Sequence, residues 1–255
     1  MLRPVAVREH PGVDSAGEGG YWLASTVVCL TPAVGDALAR DFGVNKAKVQ
    51  VIPHGPFVLN TMTQLPGQGR LLVFGSLRRN KSVLEVIKGV ILARRRGADV
   101  SLILAGEPLK QEQGYWDECL AAIAEEPEAF DVRAGFLSDE ALPGVIAEVD
   151  AFVLAYQDFN SQSGVGVLAA MAGRPVIGTR SGGLDELFVR GMAGQQVDMP
   201  VTPEGVADAI VAFRARPTAA WQEEAEAGVD KVAGGLSWNA IGQDYVRLVR
   251  GETAA

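Results

Sequence analysis

Alternation of short β-branched runs with helix-like segments predicts a doubly wound α/β fold, a Rossmann-like parallel sheet with helices on both faces. Three observations carry this. Residues 26–30, 48–52, 71–74, 100–105, 131–134, 151–155 and 175–178 each read as a strand, and amphipathic or Ala-rich stretches separate most of them. The runs LLVF (71–74) and, after its opening serine, SLILA (101–105) are continuously apolar, as strands covered on both faces are. A chain of 255 residues that is 48% hydrophobic has ample material for a buried core.

Taken in order, the first well-punctuated helix follows strand 26–30. Thr31 is its N-cap, Pro32 opens the first turn, Val34 and Leu38 share the inner face, and Gly43 stands just past the end. The polar, Gly/Pro-bearing stretch 60–70 reads as a loop before the main sheet. A helix over 82–96 buries Val83, Val86, Ile87, Val90 and Ile91. It ends in Arg94, Arg95 and Arg96 before Gly97, a placement that suits the negative end of a helix dipole. The tail 201–249 is helical, with Trp221, Trp238 and Tyr245 available for packing. The expected division is 1–52 as the remnant of an N-terminal domain with an interdomain segment, 53–200 as the main, Rossmann-like domain, and 201–255 as helices packing on it.

A formal charge of −8 argues against a nucleic-acid partner or an anionic membrane surface. The only two cysteines, Cys29 and Cys119, lack metal-site or redox spacing and read as free thiols. The N-terminal sequence has no signal-peptide run and no apolar stretch is long enough to span a bilayer, so the expected location is cytoplasmic.

Two segments carry chemistry. LLVFGSLRRNK (71–81) runs a buried strand into Gly75 and Ser76 and then into a cluster of cations, at the strand end where open parallel sheets bind ligands. Gly75 allows close approach of a ligand to the backbone, and Arg78 and Lys81 offer a planar fork and a point charge for a diphosphate. NSQSGVGVLAAMAG (160–173) opens a helix of small residues, whose first amides at Ser163, Gly164 and Val165 would form an anion site at its N-terminus. Tight helix–sheet packing accounts for the second segment equally well when it is read alone.

The order of seven segments resembles the retaining two-domain (GT-B) glycosyltransferases of family 4. VVCLTPAVGDALARDFGV and KVQVIPHG resemble the stretch linking their domains, LLVFGSLRRNKSV their glycine loop, and SQSGVGVLAAMAGRPVIGTRSGGLDEL their signature. SLILAGEP, VRAGFLSDEAL with AEVDAFVLAYQD, and the closing LSWNAIGQDYVRLV stand in the matching order. The resemblance implies the C-terminal, donor-binding half of a GT-B fold with a truncated N-terminal domain. It implies a UDP- or GDP-sugar as donor, transfer to a hydroxyl with retention, and no metal or other cofactor. Gly75, Ser76, Arg78, Lys81, Ser163, Gly164 and Val165 would meet the diphosphate. Glu107, Pro108, Phe136 and Leu137 would surround base and ribose. His10 would stand near the reaction centre or be a loop residue, and His54 is expected to be structural or interdomain.

The sequence departs from the family where many members carry two signature glutamates, here Asn160 and Leu168, which puts carboxylate recognition of the ribose in doubt. Two further readings therefore stand beside a donor-binding enzyme part: a non-catalytic nucleotide-binding or scaffold subunit, and another enzyme on the same fold. Either a second chain or a homodimer is expected to cover an apolar patch at Val5, Val7 and strand 26–30.

Overall fold

The computed structural model describes residues 6–7, 18–56, 62–157 and 159–252. Two parallel sheets organise them. The smaller contains β1 (Ala6–Val7), β2 (Val27–Cys29) and β3 (Val49–Val51) in that order. The larger has six strands: β4 (Arg70–Phe74), β5 (Ser101–Gly106), β6 (Phe130–Ala134), β7 (Ala151–Leu154), β8 (Val176–Thr179) and β9 (Gly194–Val197). Their spatial order is β6-β5-β4-β7-β8-β9.

Helices fill the connections: α1 (Glu18–Leu23), α2 (Pro32–Phe42), α3 (Val83–Arg95), α4 (Gln113–Ile123), α5 (Leu142–Ala147), α6 (Gly164–Met171) and α7 (Gly182–Arg190). After β9 come α8 (Pro203–Ala215), α9 (Thr218–Gly235) and α10 (Trp238–Arg250). Successive strand side chains point to opposite faces, so Leu71, Val73, Leu102 and Leu104 join one core with α3, α4 and α8. Leu72, Ile103, Phe152 and Leu154 join the other with α5, α6, α7 and α9. Both faces are dry, which is why these strands are apolar throughout rather than alternating.

Local chemistry sets the element ends. Thr31 accepts from the Val34 amide at 3.2 Å and Gly43 closes α2 in the left-handed region (φ 63°). The Thr31 hydroxyl also donates to the Asn160 carbonyl at 2.8 Å, tying α2 to a loop of the main domain. Arg94, Arg95 and Arg96 end α3 against Glu125, Glu126, Glu128 and Asp208, as a charged helix end. Cys29 and Cys119 are buried free thiols.

Three features differ from expectation. Strand β9, with the sequence GQQV, is too polar to be read as a strand, yet it closes the sheet as an edge strand, where Gln196 is exposed. The helices after residue 200 do not all pack on the main domain: α8 lies on α3 and β9 and α9 on α6 and α7, but α10 crosses back to the small sheet. There Ile241, with Tyr245 and Leu248, covers Val28 and Ile52. The predicted apolar patch at strand 26–30 is accordingly not exposed. α10 covers one face, while α2 and its neighbours bury Val27 and Cys29 on the other. Val5 and the Val7 side chain lie outside the described residues.

The seam between β4 and β7 is held at its start by Asp150. This buried carboxylate accepts from the amides of Gly67 and Gly69, both at 2.5 Å, and from Arg70 at 3.3 Å; its own amide donates to the Arg70 carbonyl. Arg174, also buried, donates to the carbonyls of Ile146 and Thr63, strapping the preceding loop to the same end of the sheet. Asp150→Ala takes the acceptor from these amides, of which that of Gly69 is buried, and we predict a loss of about 2–4 kcal/mol in denaturant unfolding. A loss below about 0.5 kcal/mol would remove Asp150 from this role.

Candidate functional site

Strand order reverses between β4 and β7: α3 leaves β4 toward one face of the sheet and α6 leaves β7 toward the other. Diverging loops of this kind open a crevice at the carboxyl ends of the strands. A cavity of about 300 Å³ occupies it. Its lining comes from the loop after β4 (Ser76, Arg78, Lys81), the loop after β7 and the start of α6 (Tyr156, Phe159 and Ser161 through Val165), and His54.

The β4 loop is shaped by close backbone approach. Gly75 has φ +91°, which a side-chain-bearing residue rarely adopts. Its carbonyl lies where a Cβ on Gly106 would stand, so the ends of β4 and β5 can stay this close only because residue 106 is glycine. Pairing of Leu77 with Glu107 and Leu109 through backbone hydrogen bonds at 2.8 and 3.2 Å then turns the chain into the crevice.

Of the two adjacent arginines, Arg79 is taken up outside, its guanidinium 4.4 Å from the Tyr115 ring centroid and its amide on Glu112. Arg78 faces the cavity, and its buried Nε has no partner among the described residues. Lys81 donates to the Phe74 carbonyl at 3.3 Å and sits 5.8 Å from the Tyr156 ring centroid. Burial, followed by the neighbouring Arg78 charge, pushes its ammonium down to about 8. The next residue, Ser82, takes left-handed φ (51°) to turn directly into α3, which fixes where Lys81 leaves the backbone.

Opposite these cations, Ser163 N-caps α6, accepting from the Gly166 amide at 3.0 Å. The first-turn amides of Gly164 and Val165 have no intrahelical acceptor and carry the positive end of the helix dipole. Gln162 holds this loop in place. Its Oε1 accepts from the His54 amide at 2.8 Å and its Nε2 donates to the His54 carbonyl at 3.0 Å, a reciprocal pair across 108 positions. His54 in turn donates from Nδ1 to the Gly55 carbonyl at 2.7 Å. The Trp238 ring lies against Gly55 and its Nε1 donates to Pro56 at 2.9 Å, so α10 supports the same turn.

Ser76, Arg78, Lys81, Ser163, Gly164 and Val165 thus converge on one cavity, with Gly75 shaping the loop that carries them. Glu107 and Pro108 stand behind it as the backbone partner of Leu77. Phe136 is 87% exposed and Leu137 packs against the core, so neither lines the cavity. Leu168 is buried within α6 and Asn160 contributes its carbonyl to Thr31. His10 lies outside the described residues. Sequence reasoning missed Gln162, Tyr156 and Phe159, and it gave His54 a structural or interdomain role without naming its partner. The pairing of Gln162 with His54 has no local signal, because it joins positions that only the fold brings together.

Removing the Gln162 amide by Gln162→Ala frees the α6 entry loop from His54. Amide hydrogen exchange over 161–165 should speed up by about 10-fold or more while the α3 and β5 amides keep their protection. Unchanged exchange in the loop would show that the pair does not hold it.

The chain matches the Glycosyl transferases group 1 family over residues 68–215. It is 27% identical over 250 residues to the glycogen synthase of Mycobacterium tuberculosis, covering 91% of this chain and 57% of that protein. To the mannosylfructose-phosphate synthase of Agrobacterium fabrum it is 26% identical over 256 residues, covering 91% of this chain and 54% of that one. It therefore spans just over half the length of these relatives. Among solved structures, Anabaena HepE in complex with UDP and glucose superposes with a TM-score of 0.78 at 20% identity, over 92% of this chain and 66% of that one. A glycosyltransferase from Rickettsia africae gives 0.73 at 15% identity, over 95% and 68%. The chain belongs to the Glycosyl transferases group 1 family, and its fold is the C-terminal half of a GT-B glycosyltransferase.

Proposed function

We propose that this chain is the donor-binding part of a retaining, family 4 glycosyltransferase that moves a sugar from a UDP- or GDP-linked donor to a hydroxyl acceptor. The observation that carries the reading is the meeting of Arg78, Lys81 and the α6 amides in one crevice at the strand-order reversal. Such a site matches a diphosphate: two side-chain cations from one wall and backbone donors with a helix dipole from the other. HepE, of similar fold, was solved with UDP and glucose, which supports a uridine nucleotide as the first ligand to try.

Chemically, breaking the bond from the sugar to the diphosphate leaves negative charge on the departing phosphate. Arg78, Lys81 and the amides of Gly164 and Val165 would stabilise that charge as it develops, in a site whose dipoles are already oriented. In this reading protein cations neutralise the phosphates and no metal is required. Acceptor recognition would belong to the other half of the GT-B fold, carried by the same polypeptide or by a second chain.

A second reading, nucleotide binding without turnover, is favoured by one feature: residues 159–171 contain no Asp or Glu. Calorimetry with UDP, GDP and their sugar conjugates tests binding. Arg78→Ala and Lys81→Ala should each weaken it about 10- to 100-fold, the equivalent of 1.5–3 kcal/mol for a charge-assisted contact. No binding to any of these ligands would sink both readings. Binding with no sugar transfer, once an acceptor half is supplied, would select the second.

The lowered Lys81 ammonium adds a pH signature. Its charged form is present below about pH 8 and is lost as pH rises through that value, so affinity for UDP should fall between pH 7.5 and 9. An ordinary lysine would hold its charge to about 10.4. In Lys81→Met the binding should be weaker and this fall absent.

A further inference from the structure

The loop that opens α6 takes two of its anchors from chain that precedes the large sheet. Its Asn160 carbonyl accepts from Thr31 at 2.8 Å, and the Gln162 side chain exchanges two hydrogen bonds with the His54 backbone. Ser161, between them, accepts at its carbonyl from the Gly183 amide at 3.2 Å. Residues 53–56 belong to no helix or strand, so what packs on them sets where His54 stands. Trp238, the first residue of α10, lays its ring where a Cβ on Gly55 would stand and donates from Nε1 to the Pro56 carbonyl at 2.9 Å. This indole is 56% exposed, while Ile241, Tyr245 and Leu248 fasten α10 to the small sheet, so the docking of the helix does not rest on it. Its two contacts fall on the residues next to His54, and Gln162 in turn stands next to Ser163, the N-cap of α6.

We propose that Trp238 is a positioning residue for the donor site: through Gly55, His54 and Gln162 it holds the entry to α6, so that the Gly164 and Val165 amides face the crevice shared with Arg78 and Lys81. Trp238 does not line that crevice and acts on it through the turn alone. The proposal rests on the donor-site reading above and deepens it. Donors that must meet an anion together work only when each stands within roughly 0.5 Å of its place, and a loop end released by a lost anchor moves by more than that.

The test is calorimetric titration of UDP into the whole chain and into its Trp238→Ala, Trp238→Phe, Gly55→Ala and Gln162→Ala variants, together with the Trp238→Ala/Gln162→Ala double variant. Trp238→Ala should weaken binding about 5- to 20-fold and speed amide exchange over 161–165, while the Val28 and Ile52 amides beneath α10 stay protected. Trp238→Phe keeps a ring on Gly55 and loses the Nε1 donor, and its affinity should fall between wild type and Trp238→Ala. Gly55→Ala drives a methyl group into the indole from the other side and should reproduce the loss; it alters no residue of α10, so it carries the same decision if Trp238→Ala loosens the helix. Because the effect runs through the His54–Gln162 pair, Trp238→Ala should weaken binding by no more than about 2-fold further in the Gln162→Ala background, whereas independent effects would multiply. An affinity within about 2-fold of wild type for both Trp238→Ala and Gly55→Ala, or losses that multiply in the double variant, overturns the proposal and leaves the donor site standing. A wild-type chain that binds no UDP sinks the donor-site reading and the proposal with it.

Discussion

Pairing of β4 with β7 is the contact on which the rest of the molecule depends. These two strands are far apart in sequence and sit side by side at the centre of the large sheet. At one end of their seam the Asp150 carboxylate gathers three backbone amides and closes the structure. At the other end α3 and α6 depart to opposite faces, and the chain cannot close over the gap. The crevice is therefore a consequence of connectivity before it is a consequence of side chains. Side chains then determine what the gap is good for.

Electrostatics in that gap run against the protein as a whole. The chain carries a formal charge of −8, yet Arg78 and Lys81 face the same cavity without a carboxylate among its described lining residues. Two cations so placed repel one another and are poorly hydrated, which the depressed Lys81 ammonium records. Several arginines elsewhere are neutralised: Arg70 and Arg133 by Asp131 and Glu148, and Arg94 and Arg95 by glutamates beyond α4. The contrast separates cations that stabilise the surface from cations held ready for an anion. Sequence proximity does not separate them, since Arg78 and Arg79 are neighbours with opposite fates.

Much of the fold was legible because its signals are local. The runs 71–74 and 102–105 are apolar on every residue and lie inside the sheet, and Thr31, Pro32 and Gly43 punctuate α2 as read. Strand β9 was not legible, because a polar edge strand has no pattern of its own. Within the site, the glycine loop and the start of α6 announced themselves by strand-Gly-cation and small-residue helix patterns. Gln162, His54 and Trp238 did not, since their roles are relations between positions more than 70 apart that the chain brings together only through tertiary packing. The expected exposed face at 26–30 failed for the same reason: its cover, α10, comes from the far end of the chain.

That return of α10 has a bearing on how the polypeptide is made. Val28 and Ile52 belong to a small parallel sheet whose outer face is sealed by Ile241, Tyr245 and Leu248. A ribosome adding about 5–20 residues per second delivers the sealing helix roughly 10–40 s after β3. Throughout that interval the six-stranded sheet can assemble from contiguous chain, while the three-stranded one presents an unsheltered apolar surface. A helix made long after β3 is therefore what shelters the small sheet.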